Sequence, residues 1–121
     1  MEKELIALRN FRNKDVGKET EEIFRKIYGI EPSDNRLYDG KLNGKPVEIK
    51  SCLRRYKGRY GRVTFTGRQI KAIKLGVIRY ILLRVIDNYN RDNERHFIID
   101  TKDLRKIHKQ PSWKRLVEHY I

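Results

Sequence analysis

The chain of 121 residues carries 29 Lys and Arg against 16 Asp and Glu, a net charge of +13 with a pI near 10.0. That length suits one domain with no room for a second core, and apolar runs such as 77–83 argue against disorder even though 37% of residues are charged. No stretch approaches the ~20 apolar residues of a membrane-spanning helix, the opening MEKELIALRNF is too mixed for a signal peptide, and the single Cys52 excludes an internal disulfide and fits a reducing cytoplasm.

Residues 2–11 read as a short first helix. A better one opens at Asp15 or Gly17 and runs to about Gly29, with Ile23, Phe24 and Ile27 as its apolar stripe. Gly29 stands where a helix-ending glycine belongs, and Pro32 prevents continuation. Residues 35–39 and 46–52 form two strands of a hairpin turned by Asn43-Gly44. The stretch LRRYKGRYGR is a basic loop or a pair of ragged strand ends, 62–65 a short strand rich in β-formers, and 68–75 a helix with Ile70 and Ile73 inward. After Gly76, residues 77–86 make a long apolar strand buried on both faces. A polar turn at 88–93 leads to a strand at 96–100, and helices near 101–108 and 112–120 finish the chain. The expected fold class is α/β, a mixed sheet flanked by helices in the order α-β-β-β-α-β-β-α.

So basic a chain attracts polyanions, and nucleic acid is the commonest of these. Arg54, Arg55, Lys57, Arg59 and Arg62, interleaved with Tyr56 and Tyr60, would hold phosphates, and Arg68, Lys71 and Lys74 would extend the patch along the next helix. The plainer alternative is a solvated basic loop. His96, His108 and His119 make no recognisable zinc spacing.

Chemistry concentrates in DGKLNGKPVEIKSC, residues 39–52. Strand alternation puts Glu48 and Lys50 on one face and Val47 and Ile49 on the other, while the Asn43-Gly44 turn brings Asp39 back beside them. From spacing alone this is either a surface ion pair on a hairpin or the start of a metal site. Phosphodiester hydrolysis needs an activated water, a stabilised phosphate and a neutralised leaving oxygen, which magnesium on carboxylate oxygens can supply. Asp39 and Glu48 would provide those oxygens, joined by the backbone carbonyl of Ile49. Lys50 would orient or deprotonate the water, or stabilise developing charge.

Asp39 followed by Glu48-Ile49-Lys50 resembles the signature of the PD-(D/E)xK, or restriction-endonuclease-like, nuclease superfamily. A glutamate-bearing helix precedes the hairpin and a helix carrying Gln69 follows it, in the order of that superfamily's core. The resemblance covers about residues 17–87, leaving about 101–121 as a C-terminal helical elaboration of a single nuclease domain. It implies that a helical glutamate, Glu19 in preference to Glu22, completes the metal shell, and that Gln69 supports the lysine or a phosphate. It also implies a magnesium-dependent DNA endonuclease, with manganese able to substitute and structure-selective cleavage in place of sequence reading. Archaeal Holliday-junction resolvases, small, basic and dimeric, are the nearest functional analogue. A homodimer would supply two sites for coordinated cuts, with Trp113, Leu116, Val117, Tyr120 and Ile121 as its contact or else as packing within one chain. Two alternatives stay open: a non-catalytic nucleic-acid-binding module and a nuclease subunit of a larger complex.

Overall fold

A computed structural model describes residues 15–87, 93–104 and 106–118. The elements run α1 (Asp15–Tyr28), β1 (Glu31–Pro32), β2 (Gly40–Leu42), β3 (Lys45–Leu53), β4 (Arg55–Tyr56), β5 (Arg59–Tyr60), α2 (Gly67–Lys74), β6 (Tyr80–Ile86), β7 (Arg95–Asp100), a 3-10 turn at Thr101–Asp103, and α3 (Trp113–Val117). A five-stranded mixed sheet has the order β1-β2-β3-β6-β7, and β4 and β5 form a separate two-stranded ribbon. Strands β3 and β6 run parallel, with α2 as their crossover. The other neighbours within the large sheet pair antiparallel.

The alternation of β3 decides what each face of the sheet does. Val47 and Ile49 join Phe24, Ile30 and Leu82 in a core under α1, while Cys52 joins Phe65, Ala72, Ile73, Ile81, Leu83 and Trp113 in a larger core under α2 and α3. Glu48 and Lys50 share the phase of Cys52, so they enter the sheet on the α2 side. β6, buried along nearly its whole length between β3 and β7, supplies apolar side chains to both cores, as a continuous apolar run requires.

Asn43 and Gly44 both adopt positive φ, 51° and 78°, the backbone of a two-residue primed hairpin turn. That turn fixes the register Gly40↔Val47, which sets Asp39 just past the last paired residue of β2. Lys57 and Gly58, at 49° and 75°, turn the β4–β5 ribbon the same way. At Gly61 a Cβ would stand 1.7 Å from the Leu53 carbonyl oxygen, so only glycine lets the chain return against the end of β3.

Several expectations are corrected here. The strand expected at 35–39 is instead two short strands, β1 and β2, on either side of that stretch. Residues 62–65 form no sheet strand; Arg62 makes one isolated bridge to Ser112, and the basic stretch before it supplies β4 and β5. The helix near 101–108 is reduced to one 3-10 turn, ended where Leu104 turns extended. The observed order therefore differs from α-β-β-β-α-β-β-α, although an α/β mixed sheet with helices on both faces stands. The helix stripe is Val16, Thr20 and Phe24, while Ile27 is 57% exposed. The helix at 2–11 and residues Tyr120 and Ile121 lie outside the described residues; Trp113 and Leu116 are buried in their own chain's core. Among the described residues no helix is long and apolar enough to cross a membrane.

Candidate active site at Asp39, Glu48, Lys50 and Gln69

The fold joins four of the residues expected from the sequence. Asp39 holds the end of β2 to β3 at both its backbone and its side chain. Its N–H donates to the Val47 carbonyl at 3.0 Å, and its Oδ2 accepts from the Ile49 N–H at 2.8 Å. The carboxylate thus takes a ladder bond that a backbone carbonyl would ordinarily receive. In an extended strand a residue's N–H and C=O point to the same neighbour, so the Ile49 carbonyl faces the Asp39 edge too.

Glu48 is only 3% exposed. Burial pushes its carboxyl up to about 8, and the charge of Asp39 and a hydrogen bond between the two carboxyls push the same way. Lys50, 3.8 Å from Glu48 Oε1, opposes that rise. Lys50 itself is lowered by burial, against the pull of Glu48 and Asp39. Its Nζ also sits 5.3 Å from the centroid of the Phe65 ring.

Gln69 explains why these groups stay in place. Thr66 caps α2 by accepting from the Gln69 N–H, and Gln69 answers through Oε1, which accepts from the Thr66 N–H at 2.8 Å. The same Oε1 accepts from Lys50 Nζ at 3.0 Å, and Nε2 donates to Glu48 Oε1 at 2.7 Å. A capping box has therefore become a clamp between the helix and the charged face of β3.

The glutamate that α1 sends toward these groups is not the one expected. Glu19 reaches Arg84, 2.7 Å away, on the opposite face of the sheet from Glu48. Arg84 is 2% exposed and is further held by Thr20 and by both oxygens of Glu94. Glu22 is exposed. Glu21 is the member whose carboxyl is raised by burial and by the charge of Asp39, and it raises Glu48 in turn. Helical geometry accounts for the swap: residues 19 and 21 flank Thr20 by about 100° on either side, and Thr20 is in the buried stripe. The four-residue spacing of Val16, Thr20 and Phe24 carried that signal, masked because its middle member is polar.

Among the described residues no group of three or more His, Cys, Asp or Glu side chains forms a ready metal cage. Magnesium asks for less, since one or two carboxylates suffice when water and phosphate oxygens complete its octahedron. Burial and the charge of Asp39 both disfavour an ionised Glu48, and a divalent cation between the two carboxylates would offset that cost, so the pair is a donor set that fits such an ion.

Of the basic residues, Arg62 lines a groove of about 300 Å³ together with Ile49, Lys50, Ser51, Thr64, Val16 and Gly17, so it lies beside the site. Arg54 pairs with Asp87, and Arg55 stacks on the Tyr60 ring. Lys57 lies over Tyr56, and Arg59, Arg68 and Lys71 are exposed. Lys74 faces a different cavity, with Arg79 and Lys102. Cys52 is buried and its thiol is pushed up to about 12, which suits a core side chain. Comparison with protein-family models, curated proteins and solved structures finds no match to this chain.

Proposed function

We propose that this protein is a magnesium-dependent DNA endonuclease built on a restriction-endonuclease-like core, with Asp39, Glu48 and Lys50 as its catalytic residues. The observation that carries this reading is a buried Glu48 carboxyl with Lys50 3.8 Å away and Gln69 bonded to both, on the strand that Asp39 grips at Ile49. A surface ion pair needs neither burial nor a clamp, and it would leave both carboxylates ionised in water.

In this reading Asp39 and Glu48 hold magnesium, with the Ile49 carbonyl on the same edge, and the ion supplies the positive charge that a phosphodiester's transition state needs. Lys50 orients the attacking water through Nζ and, as the ammonium, faces charge developing on the phosphate. Gln69 keeps Nζ from swinging away, and Glu21 adds a carboxylate near Asp39. The water oxygen bonds to phosphorus and gives up a proton to solvent, the ester P–O bond breaks, and the departing oxygen takes a proton from solvent. One product end carries the phosphate and the other a hydroxyl.

Strong positive charge supports DNA as the polyanion, with affinity coming largely from backbone phosphates. The test is cleavage of a labelled panel of linear, forked and four-way DNAs with magnesium or with chelator. Metal-dependent cutting that is lost in Glu48→Ala supports the reading. Binding without cutting under every metal would leave a nucleic-acid-binding module instead.

A further inference from the structure

The β4–β5 ribbon has two faces with different fates. Pairing of Arg55 with Tyr60 and of Tyr56 with Arg59 puts one pair on each face. The Arg55–Tyr60 face is tied down. Arg55 stacks on the Tyr60 ring at 4.3 Å, and that ring meets Trp113 edge-on at 5.6 Å. Trp113 Nε1 donates to the Arg54 carbonyl at 2.8 Å, its backbone N–H donates to the Gly61 carbonyl at 3.0 Å, and the Gly61 N–H donates to the Arg54 carbonyl at 3.1 Å. The base of the ribbon is therefore fixed against the core.

The other face is open. Tyr56 is 36% exposed, Arg59 is exposed across the ribbon from it, and Lys57 Nζ lies over one side of the Tyr56 ring, 5.3 Å from its centroid. A large ring held out on a fixed two-stranded turn, flanked by two cations, matches a nucleotide: a π face for the base, charges for its phosphates. A base inside a duplex is already stacked on its neighbours, so only an unpaired one can use the ring. Arg62, two residues beyond the ribbon, lines the groove that contains Lys50, which places the ribbon next to the candidate active site.

We propose that Tyr56 stacks on an unpaired base while Arg59 holds the adjoining phosphate, so that the substrate is DNA with a strand discontinuity such as a fork or flap. This rests on the nuclease reading for its consequence but is tested without cleavage. The full chain is titrated, in chelator, with a fork carrying 2-aminopurine at the first unpaired position and with a paired duplex of equal length. The expected result is quenching of the fork's fluorescence and tighter binding to the fork. Tyr56→Ala should abolish the quench and weaken fork binding by roughly 5- to 150-fold, the equivalent of one base stack, with duplex affinity unchanged. Tyr56→Phe should behave as the parent. Arg59→Gln should flatten the salt dependence by about 0.7 in slope for a single-stranded phosphate. Equal loss of fork and duplex binding in Tyr56→Ala, or an unquenched fork with the parent chain, overturns the proposal. Quenching by a chain that cuts nothing in magnesium retains it and removes the nuclease reading.

Discussion

Gln69 donates from Nε2 to Glu48 Oε1 at 2.7 Å, and the bond has only one sense. Gln69 Oε1 already accepts from the Thr66 N–H and from Lys50 Nζ, so a flipped amide would face two donors with an NH2 group. One side chain thereby serves a helix cap, a buried carboxyl and a lysine. Gln69→Ala should cost about 1–2 kcal/mol of stability, the usual penalty for removing a cap and leaving a buried group unpaired. It should also lower kcat much more than it weakens DNA binding, because Lys50 loses its tether. Urea denaturation and single-turnover cleavage check the two halves, and an unchanged kcat would reduce the clamp to a cap.

Stability should depend on pH through Glu48, which stands at about 8 in the folded chain against an ordinary 4.5. Below 4.5 both states hold the proton and the group contributes no slope. Between 4.5 and about 8 the unfolded chain binds fewer protons than the folded one, so stability falls as pH rises. Above that window the loss is complete, on the order of a few kcal/mol. Lys50, lowered by burial, acts in the opposite sense as pH approaches its ordinary 10.5. Comparison with Glu48→Gln isolates the carboxyl: the variant should be the more stable chain above the window and lose that advantage below it. Parallel profiles would show that Glu48 ionises freely.

Catalysis and metal dependence should fail together. Asp39→Ala, Glu48→Ala and Lys50→Ala are each expected to abolish cleavage while keeping most DNA affinity, which comes from phosphates gripped elsewhere. Magnesium or manganese should support turnover, and calcium should bind yet turn over poorly because its looser shell positions water less strictly. Cleavage by Glu48→Ala, or full activity in chelator, would end the assignment.

Two neighbouring glutamates on α1 should give opposite phenotypes. Glu21→Gln removes a charge near Asp39 and should depress cleavage with little change in melting temperature. Glu19→Gln weakens the network around buried Arg84 and should cost about 1–3 kcal/mol of stability with cleavage kept below the melting transition. Thermal melts paired with activity assays separate them, and a reversed pattern would put Glu19 at the site.

Salt dependence reads the contribution of α2. Replacing Arg68, Lys71 and Lys74 together with Gln should weaken binding to every DNA and flatten the log–log salt slope by about 0.9 for each duplex phosphate that these cations neutralise. A slope equal to the parent's would place the DNA on another face.

Local chemistry made much of this legible in advance. Asn43-Gly44 specifies a primed turn by itself, and period-2 alternation then puts Glu48 and Lys50 on one face opposite Val47 and Ile49. The apolar run of β6 likewise declares a strand buried on both sides. Elements whose identity depends on distant partners were not legible. Residues 62–65 have strand composition, yet the backbone donors of Val63 and Phe65 are taken by Pro111 and Lys109, far along the chain, so they remain outside the sheet. Ile23 and Ile27 look like the stripe of α1, but the helix settles on Val16, Thr20 and Phe24 because Arg84 offers Thr20 a buried partner. That rotation leaves Glu21 within electrostatic reach of Asp39 and pairs Glu19 with Arg84. The residues and their spacing determined which groups could react; long-range pairing of buried polar side chains, which no local pattern encodes, decided which helix face the site received.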